Sequence, residues 1–372
     1  MLLYADLHIH SPYSMATSRT MTPDALLNAA GRKGLGILGS GDALHPAWRQ
    51  CWIERQEDET EIVVVPTTEV EDAARIHHLI VMEDFGGFAD LAGLLADHSR
   101  NLVTAGRPRI NLSGEAIAER VHDLGGLIGP AHAFTPWTSL YAHAGSVREC
   151  YGTEPIDFLE LGLSADSSYG AGIADLAGVP FLSNSDAHST APHRLGREFS
   201  GLAVASRTPA GVLDALRQGR IAMNAGFFPE EGKYNRTACI ACYRQYTRQE
   251  AEGLGWRCPA DGKRIKKGVA DRAAELADTP PQERPPYLHT IPLGEIVMQV
   301  LGTCSPTTRK CIALYETLLE TLGDEIAILV SIPVPEIAAV HAGVGSAIGA
   351  LRSGQLTLHP GGGGRYGSFS FP

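Results

Sequence analysis

Aliphatic, strand-like runs alternate with helix-periodic segments over the first 222 residues, and this alternation most constrains the fold. Seven runs have strand character: LLYADLHI, LGILGS, EIVVVPTTEV, IHHLIVM, GGLIGPAHAF, IDFLELGL and VPFLSNSD. Helical patterns lie between several of them, the first with Thr22 as N-cap, Pro23 as first residue and Gly34 as stop, and another opening after Ser113. The alternation predicts a mainly parallel α/β fold with a barrel-like sheet.

The rest of the chain changes composition twice. Residues 223–285 contain three clustered cysteines and many basic residues, and they lead into the proline-rich stretch DTPPQERPPY, which is typical of a linker. Residues 286–372 are mainly aliphatic and helix-periodic and close with a glycine-rich tail. We therefore predict three domains, with bounds 1–222, 223–285 and 286–372.

Composition bounds the class of protein. An apolar share of 44% in 372 residues argues against wholesale disorder. The sequence has neither an apolar run long enough to cross a bilayer nor an export-type N-terminus, which predicts a cytoplasmic location. The net charge of −11 argues against a polyanionic partner, but residues 233–272 hold ten basic and four acidic residues, a local charge of +6.

A carboxylate and two histidines alternate in the first run, YADLHIHS. Successive side chains of a strand point to opposite faces, so Asp6, His8 and His10 share one face. Asp186 and His188 share a face in SNSDAHS in the same way. Imidazole and carboxylate groups bind zinc and manganese, so the two pairs predict two parts of a metal site.

Further candidate ligands fall near other strand ends, where active sites of such barrels lie. They are Asp42, His45, Glu69, His77, His78 and His132. A carboxylate such as Glu69 can bridge two ions, which lowers the pKa of a shared water and makes a nucleophilic hydroxide. The alternative is that each histidine is a core residue with satisfied hydrogen bonds. Together the ligands predict a multinuclear site that cleaves a phosphate ester.

The motifs ADLHIHS, GSGD, TEVE, HHLIVM, PAHAF and NSDAHS resemble, in this order, those of the PHP (polymerase and histidinol phosphatase) metallohydrolase family. Longer stretches, including PAHAFTPWTSLY, LELGLSADSS and the cysteine segment, resemble the endonuclease Q family over almost the whole chain. The resemblance implies a distorted (β/α)7 PHP barrel, a small zinc-ribbon-like module and a mainly helical C-terminal region. It also implies an endonuclease that nicks DNA 5′ of deaminated bases (uracil, hypoxanthine, xanthine) and of abasic sites.

The same resemblance implies two or three divalent ions (Zn, Mn or Mg). One would be held by His8, His10, Glu69 and Asp186, a second by Glu69, His78 and His132, and a third by Asp42, His45 and His188. His78 is preferred to His77 because it directly precedes the LIVM run. Asp186, Glu69 and Arg197 are the predicted catalytic residues, and Asp6 is expected to support a ligand by a hydrogen bond.

Two arginines follow Asp186 in HRLGREF. Arg194 and Arg197 are expected to bind the scissile phosphate, and the alternative is a surface ion pair with Glu198. Because water attacks, no catalytic serine or cysteine is assigned.

The cysteine segment has zinc-ribbon spacing with one substitution. Cys239, Cys242 and Cys258 are in place, and Asp261 stands where a fourth cysteine would be. A structural zinc with three thiolates and one carboxylate is predicted; the alternatives are a module without its ion and a turn role for Asp261. The basic residues expected to grip DNA through its phosphates are Lys263, Arg264, Lys266 and Lys267.

A lesion-specific nuclease must expose the damaged base of its DNA substrate. Trp137, together with Phe134 and Tyr141, is expected to stack on a flipped base or to pack at the rim. A replication sliding clamp is included as a candidate partner beside DNA. Two rival functions stay open: a PHP phosphoesterase for a small phosphate monoester, and an inactive DNA-binding protein.

Overall fold

The computed structural model describes residues 1–55 and 61–372. The strands are β1 (Leu2–Asp6), β2 (Ile37–Gly39), β3 (Val63–Val65), β4 (Thr67–Glu71), β5 (His77–Val81), β6 (Leu127–Pro130), β7 (Leu159–Glu160), β8 (Phe181–Leu182), β9 (Phe199–Ala203), β10 (Ile221–Gly226), β11 (Ala238–Cys239), β12 (Ile265–Lys266), β13 (Tyr287–His289), β14 (Thr357–His359) and β15 (Ser368–Ser370).

The α-helices follow the same chain order. They are α1 (Pro23–Lys33), α2 (Pro46–Arg55), α3 (Phe85–Leu95), α4 (Gly114–Asp123), α5 (Leu140–His143), α6 (Val147–Tyr151), α7 (Ser167–Ala171), α8 (Pro209–Arg217), α9 (Arg248–Gly253), α10 (Val269–Leu276), α11 (Leu293–Val300), α12 (Arg309–Leu322), α13 (Glu325–Val330), α14 (Val334–Val340) and α15 (Ala342–Arg352). Short 3-10 turns cover Ala96–His98, Ala174–Leu176 and Pro229–Glu231. None of the helices in these residues is long and apolar enough to span a membrane.

Strand pairing is mixed. One sheet has the order β13-β10-β9-β1-β2-β3, another β4-β5-β6, and β7 pairs with β8. Parallel pairs join β1 to β2 and β2 to β3, but β9 is antiparallel to β1 and β10, and β5 is antiparallel to β4 and β6. The prediction of a mainly parallel fold is therefore only partly right. Of these antiparallel pairs, only β4 and β5 are joined by a short connection, since helices lie between β5 and β6 and between β9 and β10.

Each of the seven strand-like runs contains a strand. The run EIVVVPTTEV holds two, β3 and β4, because Pro66 separates them. Strands β9 and β10 were not among the predicted runs. The predicted helix signals are confirmed: the Thr22 side chain accepts from the Ala25 amide, and Gly34 ends α1 in the left-handed conformation (φ 95°). Ser113 caps α4 in the same way.

Alternate residues of the strands share one apolar interior. Buried side chains from β1, β3, β5, β6 and β9 pack together with those of α8; they include Ala5, Val63, Val65, Leu79, Val81, Leu127, Leu202 and Leu213. A second, larger cluster lies beneath the helices and includes Trp48, Trp52, Phe88 and Tyr151. Packing on both faces holds the strand ends, and the polar residues on them, in fixed places.

The two later segments are tied to the strands. The predicted boundary at residue 222 falls inside β10, and β13, next to the proline-rich stretch, pairs with β10 in parallel. Strands β11 and β12 form a two-stranded ribbon; Cys239 lies in β11, and Cys242 and Cys258 lie in the segment that connects the two strands. Helices α11–α15 pack around their own buried cluster, which includes Ile296, Leu318, Ile337 and Ile348.

The glycine-rich tail packs against the cysteine segment. A Cβ atom on Gly363 would lie 2.2 Å from the carbonyl oxygen of Cys239, and the φ of Gly363 is 66°. Only glycine adopts this conformation at such a short approach without strain. The four glycines lie in the connection between β14 and β15, which pair in antiparallel orientation.

Candidate metal centre and nucleic-acid interface

Histidines and carboxylates from distant segments converge in three overlapping groups. In each group one ligand atom per residue lies within 4.8 Å of the others. The groups are His8, His10 and Glu69; His10, Asp186 and His188; and Glu69, His77 and His132. Since His10 and Glu69 each belong to two groups, the three groups form one continuous centre.

Backbone pairing brings the motif that contains His10 next to the motif that contains Asp186 and His188. The His10 amide donates to the Ala187 carbonyl oxygen over 2.9 Å, and Ile9 forms a parallel β-bridge with Ala187. His10 therefore lies beside Asp186 and His188, with the His10 and His188 ring centroids 4.4 Å apart. The two short motifs predicted to share a site do share one.

Three residues of this region have backbone conformations that non-glycine residues rarely adopt. The φ angles are 49° for Asp42, 33° for His132 and 48° for Asp186. Such strain costs about 1–3 kcal/mol per residue and persists where the surrounding structure imposes it, often at functional sites. All three residues follow strands, where the chain turns to aim its side chain.

Glu69 lies at the middle of the centre and is 2% exposed. Its Oε1 lies 2.7 Å from His77 Nδ1 and 2.9 Å from His132 Nε2. Its Oε2 lies 3.4 Å from His10 Nε2 and accepts a hydrogen bond from Arg107 Nη1 over 2.9 Å. The carboxylate thus has one oxygen on each side, as a bridging ligand needs.

The carboxylates of the centre are ionised. Burial acts to raise the pKa of Glu69, but His77, Arg107 and His8 hold it well below its usual range. Burial likewise opposes ionisation of Asp186, and hydrogen bonds from His10 and His188 hold its pKa well below the usual range. Ionised carboxylates are the form that binds cations.

Glu160 organises the centre from behind, and sequence reasoning did not identify it. Both of its carboxylate oxygens lie within 3.0 Å of His8 Nδ1, and it accepts from the His132 amide over 2.7 Å and from Asn184 Nδ2 over 2.9 Å. A carboxylate on Nδ1 fixes the ring and leaves Nε2 for an ion. The only available signal was the motif LELGL, in which Glu160 interrupts an apolar strand.

The structure corrects the choice of His78. Residues 69, 71, 77 and 79 face one side of the antiparallel pair β4–β5, so His77 joins Glu69 and His132. His78 points the opposite way, where Nδ1 lies 2.5 Å from the Tyr151 hydroxyl and Nε2 lies 3.2 Å from Asp72. The candidate ligand is therefore His77.

Two of the residues assigned to a third ion have other roles. Asp42 lies behind His10, with Oδ1 3.1 Å from His10 Nδ1, and its Oδ2 accepts from the amide and hydroxyl of Ser11. His45 accepts from the Trp48 amide at the start of α2, and its ring stacks on Tyr13 at 3.7 Å. Only His188 of that set belongs to a converging group.

The structure also places Asp6 behind the centre. Its carboxylate accepts from the amide and hydroxyl of Ser185 and from the Gly196 amide. Asp6 therefore holds the segment that carries Asp186, rather than a histidine ring. Burial raises the pKa of Asp6 to about 6, against the lowering effect of these hydrogen bonds.

These side chains fit divalent cations. Within the described ranges, His8 Nε2 is buried without a hydrogen-bond partner, although it lies 3.7 Å from Glu69 and 3.8 Å from Asp186. An imidazole nitrogen left unpaired among carboxylate oxygens is costly unless a cation binds it. The donor set of imidazole and carboxylate suits zinc and manganese.

The two arginines after Asp186 differ in exposure. Arg197 donates from Nε to the Ser185 carbonyl oxygen over 2.9 Å, next to Asp186, whereas Arg194 is exposed. Glu198 is buried, accepts from the Phe227 amide, and has its pKa raised to about 8 by burial. Among the residues placed by the structure, neither arginine forms an ion pair with Glu198, so that alternative is wrong.

The four predicted zinc ligands converge. Ligand atoms of Cys239, Cys242, Cys258 and Asp261 lie within 4.8 Å of one another. Cys242 and Cys258 sulfurs are 3.6 Å apart, and Cys239 Sγ lies 3.3 Å from Asp261 Oδ2. The cluster could hold a structural zinc ion.

The basic residues beside this cluster fall into two classes. Lys263 and Arg264 are exposed, whereas Lys266 and Lys267 are half-buried. Lys266 donates to the Pro136 carbonyl oxygen over 2.8 Å and lies 4.1 Å from the ring centroid of Trp137, which is 51% exposed. Lys267 pairs with Glu275. Lys266 thus joins the ribbon to the segment that follows His132.

Comparison with known proteins places this geometry in a family. A family model described as the MJ0043 C-terminal domain matches residues 292–355. Protein MJ0043 of Methanocaldococcus jannaschii is 41% identical over 250 residues, which cover 64% of this chain and 31% of that protein, so the chain spans about a third of its length. Protein YqxK of Bacillus subtilis is 32% identical over 402 residues, with 98% of each chain covered.

Solved structures match over the whole chain. The lesion-specific endonuclease PfuEndoQ from Pyrococcus furiosus superposes with a TM-score of 0.95 at 44% identity, covering 100% of this chain and 96% of that one. Endonuclease Q in complex with a 27-mer duplex that carries an abasic lesion at its active site superposes with a TM-score of 0.95 at 43% identity, covering 100% and 97%. Over this length and at this identity, the chain belongs to the endonuclease Q family.

Proposed function

We propose that this protein is a DNA repair endonuclease that hydrolyses the phosphodiester 5′ of deaminated bases and of abasic sites. The convergence of His8, His10, Glu69, His132 and Asp186 carries the proposal, since such a ligand set suits phosphodiester hydrolysis by cations. The whole-chain match to lesion-specific endonuclease Q supports it. DNA is the partner that we propose; the predicted sliding clamp has no support in the comparisons.

The chain's own residues prepare the reaction. Two or three divalent ions (Zn, Mn or Mg) would acidify the attacking water and neutralise phosphate charge when bound. Glu160 and Asp42 orient His8 and His10 for this role. Arg197, fixed by the Ser185 carbonyl oxygen, would hold the scissile phosphate beside Asp186.

The exposed basic residues of the cysteine segment would grip DNA. Lys263 and Arg264 offer charges that neutralise phosphates without reading sequence. Lys266 of this segment contacts Pro136 and Trp137, which follow His132 in the chain, so a duplex held by the ribbon would lie near the centre. We also propose that the exposed Arg194 completes the phosphate contacts.

A cavity of about 540 Å³ beside the centre offers room for an extruded base. Its lining includes Leu163, Arg197, Phe227, Tyr234, Met298 and Tyr366. Thr135 also lines it, and the hydroxyl of Thr135 lies 3.2 Å from His132 Nδ1, so the cavity adjoins the centre. Apolar and aromatic walls with a few polar groups suit a base.

The test uses labelled duplexes that carry a single uracil, hypoxanthine or abasic site, with Mg²⁺ or Mn²⁺. Wild type should nick only the strand with the lesion, on its 5′ side. Asp186→Asn should lower the nicking rate by about 100-fold or more without weakening DNA binding, because it removes a candidate ligand. The exposed residue Asp97 gives the matched control, and Asp97→Asn should nick as wild type does.

The rival functions give other results in the same experiment. Turnover of a chromogenic phosphate monoester without any nick would support the phosphoesterase. DNA binding without either reaction would support the inactive DNA-binding protein. Unchanged nicking by Asp186→Asn would refute the ligand assignment.

A further inference from the structure

Arg107 lies against the metal centre, in the loop between the 3-10 turn after α3 and helix α4. Its neighbour Gly106 donates its amide to the Tyr13 carbonyl oxygen over 3.0 Å. A Cβ atom on Gly106 would lie 2.1 Å from Asp42 Oδ2, so a larger residue would collide with this carboxylate. The close approach of this loop directs Arg107 toward the ligands.

The guanidinium of Arg107 contacts the carboxylate at the middle of the centre. Its Nη1 donates to Glu69 Oε2 over 2.9 Å, and its side chain is 29% exposed. Burial acts to lower the pKa of Arg107, but Glu69, Asp186 and Asp42 raise it. The side chain is therefore a permanent positive charge that reaches from solvent into the centre.

Most of the donors of Arg107 are available. A guanidinium has five N–H donors in a planar fork, and in residues 1–55 and 61–372 the structure gives Arg107 one hydrogen bond, to Glu69. A planar fork matches two oxygens of a phosphate group. Among the described residues, the contact with Glu69 is therefore the one hydrogen bond that must break before Arg107 binds a phosphodiester through its whole fork.

The contact with Glu69 competes with the use of Glu69 as a ligand. Once Glu69 Oε2 is shared with a divalent cation, the carboxylate charge is offset and Arg107 faces charges of its own sign. An anion between the guanidinium and the cations removes this repulsion. The scissile phosphodiester of the proposed reaction is the anion that must lie there.

We propose that Arg107 is a further catalytic residue, which leaves Glu69 and binds a non-bridging oxygen of the scissile phosphodiester when cations and DNA are present. This inference rests on the proposed function. The positive charge of Arg107 stabilises the negative charge that develops on the phosphate oxygens during hydrolysis. Arg107 transfers no proton and forms no covalent bond.

Nicking of a lesion duplex at saturating DNA gives the first test. Arg107→Met removes the charge and keeps the length of the side chain, and it should lower the rate constant by about 100-fold. Arg107→Lys should be intermediate, because it restores the charge but not the fork. Arg100 is exposed in the same loop, and Arg100→Met should nick at the wild-type rate.

Affinity gives a readout apart from activity. The affinities of wild type and of Arg107→Met are measured for two duplexes, one with a phosphodiester and one with an uncharged methylphosphonate at the scissile linkage. Binding is measured in Ca²⁺, before any nick accumulates. The methylphosphonate should lower the DNA affinity of wild type by about tenfold, because one hydrogen bond to a charged group is lost. It should lower the affinity of the variant by much less. In EDTA no cation binds Glu69, so Arg107 stays hydrogen-bonded to it. The affinities of the wild-type protein for the two duplexes should then differ less.

Each outcome decides the proposal. Equal methylphosphonate effects in wild type and Arg107→Met would overturn the phosphate contact. Loss of bound Mn²⁺ from Arg107→Met, with nicking restored by excess Mn²⁺, would overturn it too and make Arg107 a positioning residue for Glu69. A wild type that binds the duplexes but nicks none refutes the proposed function, while the affinity comparison still decides whether Arg107 contacts the phosphate.

Discussion

His77 and His78 are neighbours in one strand, yet they leave it on opposite faces. His77 points to Glu69 and His132, and His78 points to Tyr151 in the core. A histidine pair in a strand always offers one ring to each face. Which ring meets the ligands depends on the partner strand, since the register of β4 puts Glu69 on the face of His77.

We expect single substitutions of these two histidines by glutamine to have different effects. His77→Gln should lower the affinity for Mn²⁺ or Zn²⁺ by about tenfold or more, because an imidazole ligand is lost. His78→Gln should leave metal affinity unchanged and lower the melting temperature, because it disturbs a buried contact. Metal titration and thermal unfolding of both variants measure the two effects. A metal affinity that falls only in His78→Gln would restore the original choice.

At the scale of elements, the ribbon of β11 and β12 depends on a small cluster. Five buried residues form it, two of them candidate zinc ligands: Cys239, Tyr246, Ala251, Cys258 and Ile265. So small a core cannot stabilise a module by burial alone, which is the usual reason for a structural metal. The carboxylate at position 261 is the unusual member of the set.

Replacement of this carboxylate should strengthen the site. Asp261→Cys should hold zinc against a chelator at higher chelator concentration than wild type, because thiolate is the softer ligand. Cys258→Ser should release zinc, and Cys304→Ser, at an exposed cysteine outside the module, should not. Zinc content after dialysis against graded chelator gives the comparison. Equal zinc retention by Cys258→Ser and wild type would exclude a zinc site there.

At the scale of the whole molecule, a buried ion pair joins the helical C-terminal segment to the strand-bearing part. Lys33 Nζ lies 2.8 Å from Glu325 Oε1, with both side chains at most 3% exposed. Lys33 also donates to the Pro192 carbonyl oxygen, and Glu325 accepts from Tyr315 and the Leu293 amide. The pair therefore links α1, α13 and the loop that carries Arg194.

Removal of one partner of the Lys33–Glu325 ion pair should destabilise the protein. Lys33→Met leaves the charge of Glu325 buried and unpaired, and it should lower the free energy of unfolding by about 3–5 kcal/mol. The adjacent pair Arg32–Glu316 is about one-third exposed, so Arg32→Met should cost less than about 1 kcal/mol. Urea unfolding of the two variants provides the test. Equal, small losses would show that the buried pair does not hold the segments together.

The sequence by itself determined seven runs that contain strands, the caps of two helices and most residues of the candidate metal centre. Aliphatic runs located every predicted strand, and the caps at Thr22 and Ser113 are local hydrogen bonds that neighbouring residues make. Strand periodicity put His8 with His10 and Asp186 with His188, because a strand fixes which side chains share a face. The resemblance to the PHP family grouped them with Glu69 and His132 as candidate ligands.

Only the tertiary structure decided which residues meet across segments. Antiparallel register selected His77, and long-range packing placed Glu160 behind His8 and Arg107 on Glu69. The same packing placed Asp42 behind His10, whereas His45 accepts a local hydrogen bond from Trp48 at the start of α2. The contacts of Glu160, Arg107 and Asp42 join residues far apart in the chain, and local periodicity carries no information about such pairings.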